Sequence, residues 1–140
     1  MNRPTDPVRQ HLVEVRRALL RLHKALIDSE RAAYEARAGL TSNGQFLQLL
    51  LQDPFFVWLR PFSGLIAQMD EALAAAEGLS AEDAGVFIAQ VRSLIGPPEA
   101  NTGGETRYEE VRGRDPDVLF AHAELARTVR PVPGAAPEEG

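Results

Sequence analysis

Hydrophobic positions near the start of the chain recur at alternating four- and three-residue intervals. Val8, Leu12, Val15, Leu19, Leu22 and Leu26 are followed at the same spacing by Ser29 and Ala33. That recurrence is the period of an α-helix with one face turned to a core. Asp6-Pro7 supplies its start, because Asp accepts free backbone N–H groups and proline loses nothing at the first helical position. No breaker follows until Gly39, a residue suited to the position just past a helix end. The predicted helix has about 32 residues and, at ~1.5 Å each, is nearly ~50 Å long. A helix of that length is expected to be the spine of a domain or half of an intermolecular pairing.

Shorter elements follow. Ser42-Asn43-Gly44-Gln45 reads as a capping box opening a helix with Phe46, Leu47, Leu49, Leu50 and Leu51. Asp53-Pro54 interrupts it, since a residue before proline avoids the α region. A short turn over 55–59 is expected to end at Arg60-Pro61. Phe62, Leu65, Ile66, Met69 and Leu73 then mark an amphipathic helix closed by Gly78. Ser80 caps another, with Ala84, Phe87, Ile88, Val91, Leu94 and Ile95 as core face, stopped by Gly96-Pro97-Pro98. Residues 97–106 read as a loop. Asp115-Pro116 opens a last helix bearing Val118, Leu119, Leu125 and Val129. From Arg130 to Gly140 the chain is mostly Pro, Ala, Gly and Glu, too poor in apolar surface to order itself.

With Leu12 at heptad position a, the first helix shows more than a simple seam. An alanine column (Ala18, Ala25, Ala32, headed by His11) would let a neighbouring helix approach closely. Val13, Leu20, Ile27 and Tyr34 form a second apolar column beyond the seam. The apolar arc is wider than a coiled coil needs, so several partner helices are expected. Inside the arc lies an ionisable column: Arg9, Arg16, His23, Glu30 and Arg37. Buried charge is costly unless paired, so ion pairing is the expected role of these groups. The alternative is a ligand pocket using Arg16, His23, Glu30 and Tyr34, with Asp70 or Glu71 converging from another helix. Metal binding is disfavoured by spacing: His23 and Glu30 are separated by roughly 10.5 Å along the axis, and Glu-x-x-His is absent.

Composition changes this picture little. Alanine and leucine dominate a chain of 140 residues, 44% hydrophobic and 25% charged, which fits one globular helical domain. The net charge of −5 argues against a nucleic-acid partner. Its distribution is uneven: residues 7–38 hold seven Lys or Arg against four acids, while residues 39–83 hold Arg60 against six acids. A basic helix beside acidic ones accounts for that asymmetry. Arg16, Arg17, Arg21 and Lys24 read as a solvated face. There is no cysteine, hence no disulfide or thiolate chemistry. No run approaches a membrane span, and the first residues lack the apolar region of a signal peptide, so a soluble, cytoplasmic protein is expected.

Five of the nine aromatic residues, Phe46, Phe55, Phe56, Trp58 and Phe62, fall within 17 positions. They are expected to plug one end of the bundle, with one of Phe55, Phe56 and Trp58 turned outward. A docking surface over Phe55, Phe56, Trp58 and Phe62 is the functional reading. His122 is expected to be a hydrogen-bonded core residue and His11 to sit near solvent. Gly85, Ala89 and Ser93 form a small-residue ridge suited to helix packing. Asn101-Thr102-Gly103-Gly104 is not a phosphate loop, and no nucleophile elbow exists. No catalytic residue, metal site or cofactor is assigned.

The expectation is therefore an all-α bundle of four or more helices over 1–129, with a long N-terminal helix and a disordered tail over 130–140. The leading function is a non-enzymatic interaction or assembly protein, self-associating as a homodimer through the first helix or docking another protein at the Phe55–Phe62 corner. The alternative is a ligand- or metal-binding bundle built on the polar column.

Overall fold

Asp6 opens the first helix, α1 (Pro7–Ala38), its carboxylate accepting from the backbone N–H groups of Val8 and Arg9. The helix ends at Gly39, whose φ of +96° is a conformation that residues with a Cβ rarely adopt. Five further α-helices follow in a computed structural model that describes residues 6–75, 78–96 and 103–129. They are α2 (Asn43–Gln52), α3 (Arg60–Ala74), α4 (Ala81–Ile95), α5 (Gly103–Arg114) and α6 (Pro116–Thr128). A 3-10 segment, Pro54–Leu59, runs straight into α3. No strand occurs among the described residues. The protein is an all-α bundle.

The caps explain the boundaries. Ser42 and Gln45 form the reciprocal capping box at α2, and Ser80 accepts from the N–H of Asp83 at α4. Asp53 serves twice, ending α2 and accepting from Phe55 N–H at the head of the 3-10 segment. Arg60-Pro61 opens α3 rather than ending a separate turn, since proline suits a first helical turn. The same helix ends at Ala74, four residues ahead of Gly78.

α1 is the spine. Leu12, Val15, Leu19, Leu22 and Leu26 are all fully buried, each such side chain contributing about 2 kcal/mol by leaving water. Its most extensive packing is against α6, which runs antiparallel: Thr128 lies beside His11 and Glu124 beside Arg21. Of the alanine column, Ala18 is buried, Ala25 half-buried and Ala32 exposed. α3 also runs antiparallel to α1, and α4 packs against α1, α3 and α6. The seam expected to be available for an intermolecular pairing is thus consumed within one chain.

Three local expectations are corrected. Residues 103–114 form α5, where a loop was expected over 97–106; its only buried apolar side chains among those described are Tyr108 and Val111. On the last helix Val118 and Leu125, with Val129 just past its end, fill the face turned to the core, and Leu119 is 48% exposed. Gly85, Ala89 and Ser93 face solvent, since α4 buries Ala84, Val91 and Ile95 instead. None of Phe55, Phe56 and Trp58 is fully outward; their neighbour Val57 is the exposed one. The tail expected over 130–140 and the loop residues 97–102 lie outside the described residues.

Candidate functional site

Four of the five residues in the ionisable column of α1 are met by the chain returning antiparallel beside it. Arg9 donates to the carbonyl of Leu73 at 2.7 Å. One helical repeat on, Arg16 is paired with Asp70. Glu30 accepts from Trp58 Nε1 at 2.8 Å, and the Arg37 guanidinium lies 5.0 Å from the ring centre of Phe55. The register falls from Leu73 to Phe55 as the column rises from Arg9 to Arg37. His23 lies between the Asp70 and Trp58 levels, half-buried, and burial holds its pKa below the ordinary 6.5.

Glu30 is the densest point of the column. It is completely buried, and a carboxylate in that position must be answered by donors. Arg107 supplies a bidentate pair, Nε to Oε2 and Nη2 to Oε1, both at 2.7 Å. Arg114 adds Nη2 to Oε1 at 3.2 Å and also donates to the Ser29 hydroxyl at 3.0 Å. Hydrogen bonding to Glu30 is the main cause that raises the Arg107 pKa. One carboxylate thereby gathers α1, the 3-10 segment and α5.

Around it the aromatic residues interlock. Phe56, Phe62 and Phe46 are buried, and Phe55 and Trp58 are half-buried. Tyr34 packs against Phe55 and Phe56 with ring centres 5.7 and 5.5 Å apart. Trp58 meets Phe62 edge-on, and Phe62 stacks on Tyr108. The Tyr108 hydroxyl reaches His122 Nδ1 at 2.6 Å, the hydrogen-bonded core histidine expected of the last helix. Burial raises the Tyr108 pKa, and burial, then the Arg112 cation, lowers that of His122.

The four residues considered as a ligand set are therefore divided. Glu30 and Tyr34 share one end of the bundle. Arg16 is engaged by Asp70 near the other end, and His23 stands between them. Asp70 answers Arg16 rather than joining His23. Among the described residues, no three His, Cys, Asp or Glu side chains gather as a metal would require. Arg107 and Arg114, which complete the Glu30 cluster, were not singled out in the sequence; only the expectation that a buried acid needs an answering cation pointed toward them.

Two surface features remain open. A cavity of about 730 Å³ lies between α1 and the α5–α6 junction, with Arg21, Lys24, Ala25, Ser29, Arg114 and Asp117 among its walls. On the opposite side of Phe46, Leu47 and Leu51 project one turn apart from α2, 55% and 57% exposed. Leu40, just ahead of the helix, is 90% exposed, and Val57 in the 3-10 segment 42%.

Comparison with protein-family models, curated proteins and solved structures finds no match. The described residues form an all-α bundle of six α-helices organised about one long helix. Among the described residues, no helix is long and apolar enough to cross a membrane.

Proposed function

We propose that this chain is a non-enzymatic helical docking protein that binds another protein chain through the outer edge of α2 and the adjoining 3-10 segment. The observation that carries the reading is the exposure of Leu47 and Leu51 beside Leu40 and Val57, in a bundle that encloses every leucine of its spine seam. Leaving such side chains in water costs free energy that a partner's apolar surface would recover. The docking surface differs from the one read in the sequence. Phe56 and Phe62 are committed to the core, so the exposed contacts come from leucine and valine with Phe55 and Trp58 behind them. A photo-crosslinking residue placed at Leu47 should give one reproducible adduct with a protein chain, identified by mass spectrometry. The same residue at Gln10, on the exposed side of α1, should give none. Equal labelling from both positions would overturn the reading.

A second reading is favoured by the cavity beside Arg114. Its mixture of cations, Asp117 and a small apolar floor suits a compact polar molecule carrying both charges. A bound ligand raises the melting temperature of a folded protein. A panel of amino acids and other zwitterions should shift the transition, and Ala25→Leu, which fills the floor, should abolish the shift.

A further inference from the structure

We infer that the partner seated on α2 is a second copy of this chain, related by a two-fold axis that sets α2 antiparallel to its mate. The inference rests on the docking reading above and names its occupant. α2 is the one α-helix among those described whose sequence carries no charge: Asn43-Gly44-Gln45-Phe46-Leu47-Gln48-Leu49-Leu50-Leu51-Gln52. The adjoining 3-10 segment is uncharged as well. Between Ser42 and Leu59 the single ionisable residue is Asp53, already spent on the N–H of Phe55.

Charge pattern distinguishes a surface that meets itself from one that meets a stranger. In an isologous interface every residue faces the same patch of the other copy, so a charged side chain confronts its own sign. Partner selection between unlike chains commonly uses complementary charge, and like charges set face to face are costly. α2 offers no charge for an unlike partner to read and none to repel a copy. Two of its glutamines, at 48 and 52, carry both a donor and an acceptor and can pair with amides of a copy, while Gln45 is held in the capping box. Phe120 on α6, an aromatic 71% exposed, stands within one turn of Asp117 and Glu124 and lacks this property.

Antiparallel pairing follows from the ends. Arg60 caps the C-terminal carbonyls of α2 by donating to Leu51 O. A two-fold axis crossing the helix keeps the two Arg60 side chains at opposite ends and brings Leu47 against Leu51 of the mate. Opposed helix dipoles align favourably in the same arrangement.

The test is the mass of the full chain in solution by sedimentation equilibrium. A small apolar patch binds weakly, so concentrations up to roughly 100 μM are needed. The wild type should reach the mass of two chains. Two double variants, Leu47→Lys with Leu51→Lys and Leu47→Glu with Leu51→Glu, should each stay at one chain. Both positions are more than half exposed, and circular dichroism checks that each variant keeps its helices. An equimolar mixture of the two should regain the two-chain mass, because opposite charges now face each other. A control variant, Phe120→Lys, should behave as wild type. A wild type of one-chain mass throughout overturns the inference while leaving the crosslinking test of docking to be decided separately. Dimers that survive both double variants, or a mixture that fails to pair, overturn it too.

Discussion

Trp58 Nε1 and Arg107 Nε both donate to the same atom, Oε2 of Glu30, at 2.8 and 2.7 Å. A neutral indole and a guanidinium thus converge on one oxygen of a carboxylate that has no access to water. Coulomb attraction favours the Arg107 contact, while the Trp58 contact fixes the orientation of the carboxylate plane. Together they tie the 3-10 segment to α5 through a residue belonging to neither.

Removing that carboxylate should be among the more damaging polar substitutions in the protein. Glu30→Leu leaves the Trp58 N–H unanswered and strips Arg107 and Arg114 of their acid. Because both arginines keep partial exposure and can turn to water, the expected loss is about 3 kcal/mol, at the lower end for a broken buried pair. Trp58→Phe, which deletes one hydrogen bond and keeps a ring, should cost about 1 kcal/mol. Urea unfolding followed by circular dichroism measures both. A Glu30→Leu loss no larger than that of Trp58→Phe would contradict the role given to the carboxylate.

The spine can be tested by a pair of leucines two residues apart. Leu22 is fully buried and Leu20 is 41% exposed. Leu22→Ala should cost about 2–5 kcal/mol by opening a cavity among well-packed neighbours. Leu20→Ala should cost less than about 1 kcal/mol, because much of that side chain already meets water. Similar losses at both positions would mean that α1 is rotated from the orientation described.

The burial of Leu22 was legible in the sequence as a seam position, whereas the exposure of Leu20 was not, since it was read as part of the apolar arc. The caps at Asp6, Ser42 and Ser80, which depend on neighbouring residues, were legible too. α5 was not. Its described stretch, Arg107 to Arg114, has Tyr108 and Val111 as its only large apolar residues among five charged ones, too few to establish a periodic face. Tertiary contacts made by Tyr108, Val111 and the two arginines hold it in place. The ionisable column could be read as needing partners, and the partners on α3 lay within the predicted helix. Those on α5 were hidden because the helix carrying them was hidden. The outward leucines of α2 look like core residues in sequence; only the packing shows that Phe46 alone is fully buried there.

Acid should loosen the corner between α1 and α2. Glu35 accepts from the hydroxyl and backbone N–H of Thr41, and then from Arg31, which together lower its pKa from 4.5 to about 2. The folded state therefore favours the charged form. Its stabilising contribution is complete above the unfolded value of 4.5 and is lost as pH falls through about 2. Glu35→Gln should flatten the acid limb of a stability profile, and NMR titration of the Glu35 carboxyl carbon should find a midpoint well below 4.5. A midpoint at that ordinary value would remove the Thr41 contacts from the account.

His122 acts in the same pH direction at a higher range. Its folded pKa lies below 6.5, so as pH drops below that value the unfolded chain takes up a proton first and stability declines. The Tyr108 hydroxyl and His122 Nδ1 are joined by a 2.6 Å hydrogen bond. Tyr108→Phe should cost about 1 kcal/mol at neutral pH and show up as altered His122 ring shifts in NMR spectra. Unchanged stability and unchanged shifts would mean that the hydrogen bond is not formed in solution.

The spacing of the Glu30 contacts along the chain has a consequence for the order in which the molecule assembles. Trp58 is 28 residues away, whereas Arg107 and Arg114 are 77 and 84 away. Closing a longer loop costs more entropy, and on the ribosome the two arginines emerge long after the acid. A nascent chain halted after α4 would hold α1, the aromatic corner and Glu30 with a single neutral donor in place. In such a species the carboxylate, still without its cations, would turn toward solvent. Synthesis of α5 then delivers the two cations, so the last third of the chain works as a clasp closed on an already assembled frame.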